Sequence, residues 1–218
     1  MKDISFNVDL TLLSIAIIFP LVFTIRGSFR RREKALEHLS EFRSTLKTVK
    51  YFMLSNPELP EEGKDEVKKI LIHINHTVLD HLGNETYEMK ELDSIINQVY
   101  DFVQAKNEFI PSRLREKVFR FMKDMHESIE NLHAIHSHRT PISLKAYCEI
   151  FIYIFPFIYA PTIIFNIGLN TPEWITYFVV ILTEFILISL YNIQSQLEYP
   201  FDNIGMDDIN LEAFRIER

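Results

Sequence analysis

Cysteine is nearly missing: Cys148 stands alone, which excludes an intrachain disulfide framework and any thiolate-rich metal site. Glycine is scarce too, at 5 residues, so neither low-complexity linkers nor a glycine-rich phosphate loop is expected. A basic excess is absent. The formal net charge of −7 argues against nucleic acid as a partner, which wants a basic face. The acidic residues are scattered rather than massed, so they do not make a disordered acidic tail. No nucleophile elbow, paired-cysteine site or phosphate loop is found, so no enzyme activity and no cofactor are expected.

What the chain does hold is apolar sequence, unevenly spread. Its mean hydropathy of +0.01 resembles that of a soluble protein. Yet Leu10 to Ile25 and Ile150 to Phe165 carry no charge, and Trp174 to Tyr191 contains only Glu184. A helix rises about 1.5 Å per residue, so such runs reach roughly 24 to 30 Å, near the hydrocarbon thickness of a bilayer. Three spans are expected, at about 9–26, 146–166 and 174–193. The first ends in Thr24-Ile25-Arg26 rather than a small-residue cleavage site, so it reads as a retained span and not a signal peptide. Asn166 to Glu173 is expected as a tight polar turn joining the last two spans into a hairpin.

Positive charge fixes the expected sidedness. Arg26, Arg30, Arg31, Arg32 and Lys34 follow the first span, and Arg139 and Lys145 precede the second. The organisation expected is a first span at 1–26, a cytoplasmic helical bundle at 27–145, a membrane hairpin at 146–193 and a cytoplasmic tail at 194–218. The N-terminus is then outside and the C-terminus inside a cell membrane, the bacterial inner membrane or its equivalent. Two sequons, at Asn75 and Asn84, fall in the cytoplasmic block, and neither is expected to carry a glycan.

The middle block has strong helical periodicity. Leu39, Phe42, Leu46, Val49 and Met53 continue the first span as one helix that ends before Pro57 and Pro60. Val67 to Leu82, Leu92 to Val103 and Leu114 to Leu132 give three more apolar stripes, the last opening at Pro111-Ser112. The fold class is therefore an all-α membrane protein with about three spans and a helical bundle. The stripe of the fourth helix reads as bundle core, the alternative being a coiled coil for assembly. His73, His76 and His81, and His133, His136 and His138, read as polar surface rather than a metal site. Glu184, an acid inside a span, is expected to face protein or water, lining a cavity or hydrogen-bonding a Tyr or Thr.

The order of these parts resembles the bestrophin family of pentameric ion channels, and its prokaryotic members above all. Gln196-Leu197-Glu198-Tyr199-Pro200-Phe201-Asp202 is similar to the family's Glu-x-Pro-Phe signature. Asp207-Asp208-Ile209-Asn210-Leu211 is similar to the segment that follows it, and Thr140-Pro141-Ile142 to the approach to the second span. The resemblance implies a pore neck at Ile15, Phe19 and Phe23, three apolar residues four apart on the first span. It implies a cytoplasmic vestibule built from the helical block. Arg26, Arg30 and Arg31, just inside, are expected to anchor the span and, in a channel, to raise local anion concentration. The signature tail is Glu198, Pro200, Phe201 and Asp202.

There are departures. Bestrophins have a further membrane helix before the pore helix, whereas only Met1–Asp9 precedes this span, through a shortened start or a divergent branch. The family's calcium clasp needs a dense acidic run and carbonyls from an N-terminal segment; Asp202, Asp207 and Asp208 alone predict no calcium site. The expectation is thus a homopentameric channel in lipid, passing chloride or other small anions. The alternatives are a cation-conducting homologue and a non-conducting membrane-anchored scaffold or accessory subunit.

Overall fold

A computed structural model describes residues 8–84, 88–167 and 172–216. They form six helices, α1 (Leu10–Leu54), α2 (Glu61–Asn84), α3 (Met89–Ala105), α4 (Ser112–Ser137), α5 (Ile142–Ile167) and α6 (Glu173–Glu198), and a 3-10 turn at Leu211–Phe214. No strand occurs among the described residues. The chain divides into two compact units, Met1–Arg31 with Arg139–Glu198, and Arg32–His138 with Tyr199–Arg218.

The second unit is a helical bundle around one core. Leu39, Phe42, Leu46, Val49 and Met53 are fully buried, as their three- and four-residue spacing on α1 requires. Past Leu54 the side chain of Asn56 closes the turn, accepting from the Glu58 amide and donating to the Phe109 carbonyl at 2.9 Å. A reciprocal capping box between Glu88 and Glu91 opens α3. Val118, Met122, Met125, Ile129 and Leu132 of α4 point into the same core, so that stripe is bundle core. The tail completes it, burying Phe201, Ile209, Leu211 and Ile216. Each such side chain withdrawn from water stabilises the unit by about 1.5–3 kcal/mol.

Asn75 lies in this unit, with none of its surface exposed. Its amide donates to the Phe214 carbonyl and its oxygen accepts from the Ile216 amide at 3.0 Å, so the sequon asparagine is committed to holding the tail. Of the second sequon only Asn84 lies among the described residues.

The first unit inverts the soluble pattern. Its core is small, made of Ile17, Leu21, Cys148, Ile152, Phe155 and Leu187. Leu12, Tyr153, Phe157, Trp174, Tyr177 and Phe185 face outward. Among the described residues three helices are long and apolar enough to cross a membrane, and the spans expected from sequence fall on α1, α5 and α6. In lipid an outward apolar surface carries no penalty, and helices satisfy their own backbone. Half of the expected hairpin turn, residues 168–171, lies outside the described residues.

Candidate functional site

Four residues advance an α-helix by about 400°, so Ile15, Phe19 and Phe23 form a stripe that drifts only about 40° per step. In α1 all three face outward, at 56%, 61% and 52% exposure. The rings of Phe19 and Phe23 meet edge to face, with centroids 4.6 Å apart. That geometry is favoured because the positive edge of one ring meets the negative face of the other. Beside them Ser14, Ile15, Ile18, Phe19 and Val22 line a shallow depression of about 240 Å³.

Pro20 sits inside this helix and has no N–H to give the carbonyl of Ala16, four residues earlier. The hydroxyl of Tyr147, on α5, donates to that carbonyl instead, at 3.2 Å. One turn on, the Thr24 hydroxyl donates to the Leu21 carbonyl at 2.8 Å. The backbone donor missing at Pro20 is thus replaced by the Tyr147 hydroxyl. Arg26 and Arg30 are exposed beyond it, while Arg31 is half-buried. Nη1 of Arg31 has no hydrogen-bond partner among the described residues.

At the start of α5 and the end of α6 lies a polar group of which sequence reasoning named Glu198 and Lys145 without bringing them together. Glu198 is 2% exposed. Its Oε1 accepts from the Thr140 amide at 2.9 Å, and its Oε2 accepts from Lys145 Nζ at 2.7 Å and Gln194 Nε2 at 3.2 Å. Gln194 also donates toward Ser28 Oγ of α1, at 3.5 Å. The signal in the sequence was slight: a lysine at the threshold of an apolar run, and Gln194 and Glu198 one helical turn apart.

The rest of the signature tail belongs to the second unit. Pro200 and Phe201 are buried and Asp202 is exposed. Asp202 accepts from the Ile204 amide, Asp208 accepts from the Gly205 amide at 2.8 Å, and Arg32 donates to the Asp207 carbonyl. Asn203 has φ 58°, and a Cβ on Gly205 would meet an Asp208 carboxyl oxygen at 2.7 Å, so a side chain there would push that carboxyl aside. Burial and the neighbouring Asp202 carboxyl push Asp208 above the ordinary aspartate range. These carboxylates close the loop through backbone amides. No group of three or more potential ligands among the described residues is arranged to hold a metal ion.

The histidines divide. His73 is exposed, but His81 is buried, contrary to the surface position expected for it. His81 stacks on His133 with Nε2 and Nδ1 3.1 Å apart, and His136 lies between His81 and Phe201. Glu184 is half-buried in α6, and its enclosed Oε2 has no hydrogen-bond partner among the described residues.

No family model and no curated protein matches this sequence. Solved structures match its fold. A variant of a bacterial bestrophin homologue from Klebsiella pneumoniae superposes with TM-score 0.81 at 13% identity, over 95% of this chain and 84% of the other. A bacterial bestrophin homologue from Klebsiella pneumoniae solved by Zn-SAD phasing gives TM-score 0.79 at 13% identity, over 94% and 81%. A structure described as a membrane protein gives 0.82 at 12% identity, over 98% and 86%. The chain therefore has the fold of the bacterial bestrophin homologues.

Proposed function

We propose that the chain is the subunit of a bestrophin-like ion channel in which five copies surround an axial pore. The stripe of Ile15, Phe19 and Phe23 forms its hydrophobic neck, and chloride or other small anions pass through it. The observation that carries this reading is the stripe itself: large apolar side chains four apart on the first span, half exposed in a single subunit, on a chain of this fold. Five copies of such a stripe make three apolar rings, and a constriction of that kind gates by dewetting. Phenyl rings offer partly positive edges to a poorly hydrated anion without a charge that would trap it. The exposed Arg26 and Arg30 concentrate anions at one mouth. The same positive charge supports a cytoplasmic location for the helical bundle and the tail.

The test is ion flux from liposomes holding the full chain, for the wild type and for Phe19→Ala with Phe23→Ala. Lowering a dewetting barrier by about 1.4 kcal/mol raises flux about tenfold, the size of change expected for chloride. Sodium flux in place of chloride would make the chain a cation-conducting homologue. Flux indifferent to both substitutions would remove the neck from this stripe. An outward apolar stripe also suits a helix that only meets lipid, so assembled protein without flux would favour a membrane-anchored scaffold.

A further inference from the structure

We infer that Lys145, Glu198, Gln194 and Ser28 form a latch that fixes the rotation of the neck helix about its own axis and so sets the resting width of the neck. This rests on the channel reading above and adds its regulation. Ser28 has no exposed surface, Gln194 is 1% exposed and Glu198 2%. A buried carboxylate is costly unless it is paired, and this one is matched by an ammonium, a backbone amide and a side-chain amide. Replacing such a pair by apolar side chains of similar volume is often neutral or stabilising, so its role in this proposal is to specify an arrangement.

The arrangement specified is that of Gln194. Its amide has two hydrogens, one directed to Glu198 Oε2 and the other toward Ser28 Oγ. The carboxylate therefore orients the amide, and the amide holds α1. Ser28 lies five residues past Phe23, about 140° around the helix and about 7.5 Å along it, so it faces the hairpin while Phe23 faces out. On the other side of the stripe, Tyr147 holds the Ala16 carbonyl. Phe19 and Phe23 lie between these two holds. With side chains reaching about 5–6 Å from the helix axis, a rotation of about 20° moves a ring edge by about 2 Å. In a ring of five, that displacement is repeated at every subunit.

The experiment measures chloride efflux from phosphatidylcholine–phosphatidylglycerol vesicles holding the full chain, with assembly checked by size. Glu198→Gln, Gln194→Leu and Ser28→Ala are each made alone and in the Phe19→Ala, Phe23→Ala background. Each variant alone should change efflux by about threefold or more with the assembly intact, and the change should vanish once the neck is opened, the signature of coupled sites. A purely structural role would give changes that persist in the opened background, and that result overturns the latch. Wild-type efflux from assembled Ser28→Ala and Gln194→Leu also overturns it. Ser28→Ala removes a single hydroxyl, so it decides the matter if the carboxylate variant fails to assemble. Wild-type protein without efflux overturns the channel reading, a failure distinct from that of a conducting protein whose latch variants change nothing.

Discussion

Pro20 cannot donate a hydrogen bond, and the hydroxyl of Tyr147 answers for it at the Ala16 carbonyl. In a span, where water does not reach an open carbonyl, such a bond contributes about 0.6–1.7 kcal/mol. Tyr147→Phe is expected to destabilise the detergent-solubilised protein by an amount in that range, read as a lower unfolding temperature. Pro20→Ala restores the backbone donor, so adding it to Tyr147→Phe should recover most of the loss. Equal losses with and without Pro20 would show that the hydroxyl matters elsewhere. The same economy appears at Asn75, where one amide side chain both donates to and accepts from the tail.

Residues 199–210 of the tail, before its 3-10 turn, have no regular structure, yet the loop is closed by its own carboxylates. Asp208 is raised by burial and by the Asp202 carboxyl. An acid raised in the folded state stabilises it most when protonated, so its contribution is complete below the unfolded pKa and is lost as pH climbs through the folded one. Asp208→Asn keeps an oxygen for the Gly205 amide and carries no charge. Amide hydrogen exchange across residues 204–209 should therefore be slower in this variant than in wild type at pH 7, and the two should converge in acid. Faster exchange in the variant at pH 7 would reverse the sign. The helices were legible in the sequence: the stripes of α2, α3 and α4 and the stop before Pro57 follow from periodicity and proline chemistry. The joins between elements were not. His81 and His133 are 52 residues apart, Lys145 and Glu198 53, and Asn75 and Ile216 141, and periodicity carries no information at that range. A polar residue on a helix reads as surface until the covering element is known, which is why His81 was misplaced. The assignment of Ile15, Phe19 and Phe23 as a proposed neck comes only through the family resemblance, because any apolar helix contains triples four apart.

For the molecule as a whole, a mean hydropathy near zero is the average of two unlike surfaces. The outward apolar side chains of α1, α5 and α6 need lipid or other copies of the chain. One subunit cannot enclose an axial pore, so the channel reading requires a closed ring. Sizing of the detergent-solubilised protein is expected to give a mass close to five subunits, and a stable monomer would exclude a pore. The repair at Pro20 also has a consequence for biosynthesis. The acceptor at Ala16 and the donor at Tyr147 are 131 residues apart. At about 5–20 residues per second, a ribosome needs roughly 7 to 26 s to supply that hydroxyl after the first span has been made. Throughout that interval the Ala16 carbonyl lacks the donor that Tyr147 supplies, and the first span gains that bond only when the hairpin arrives.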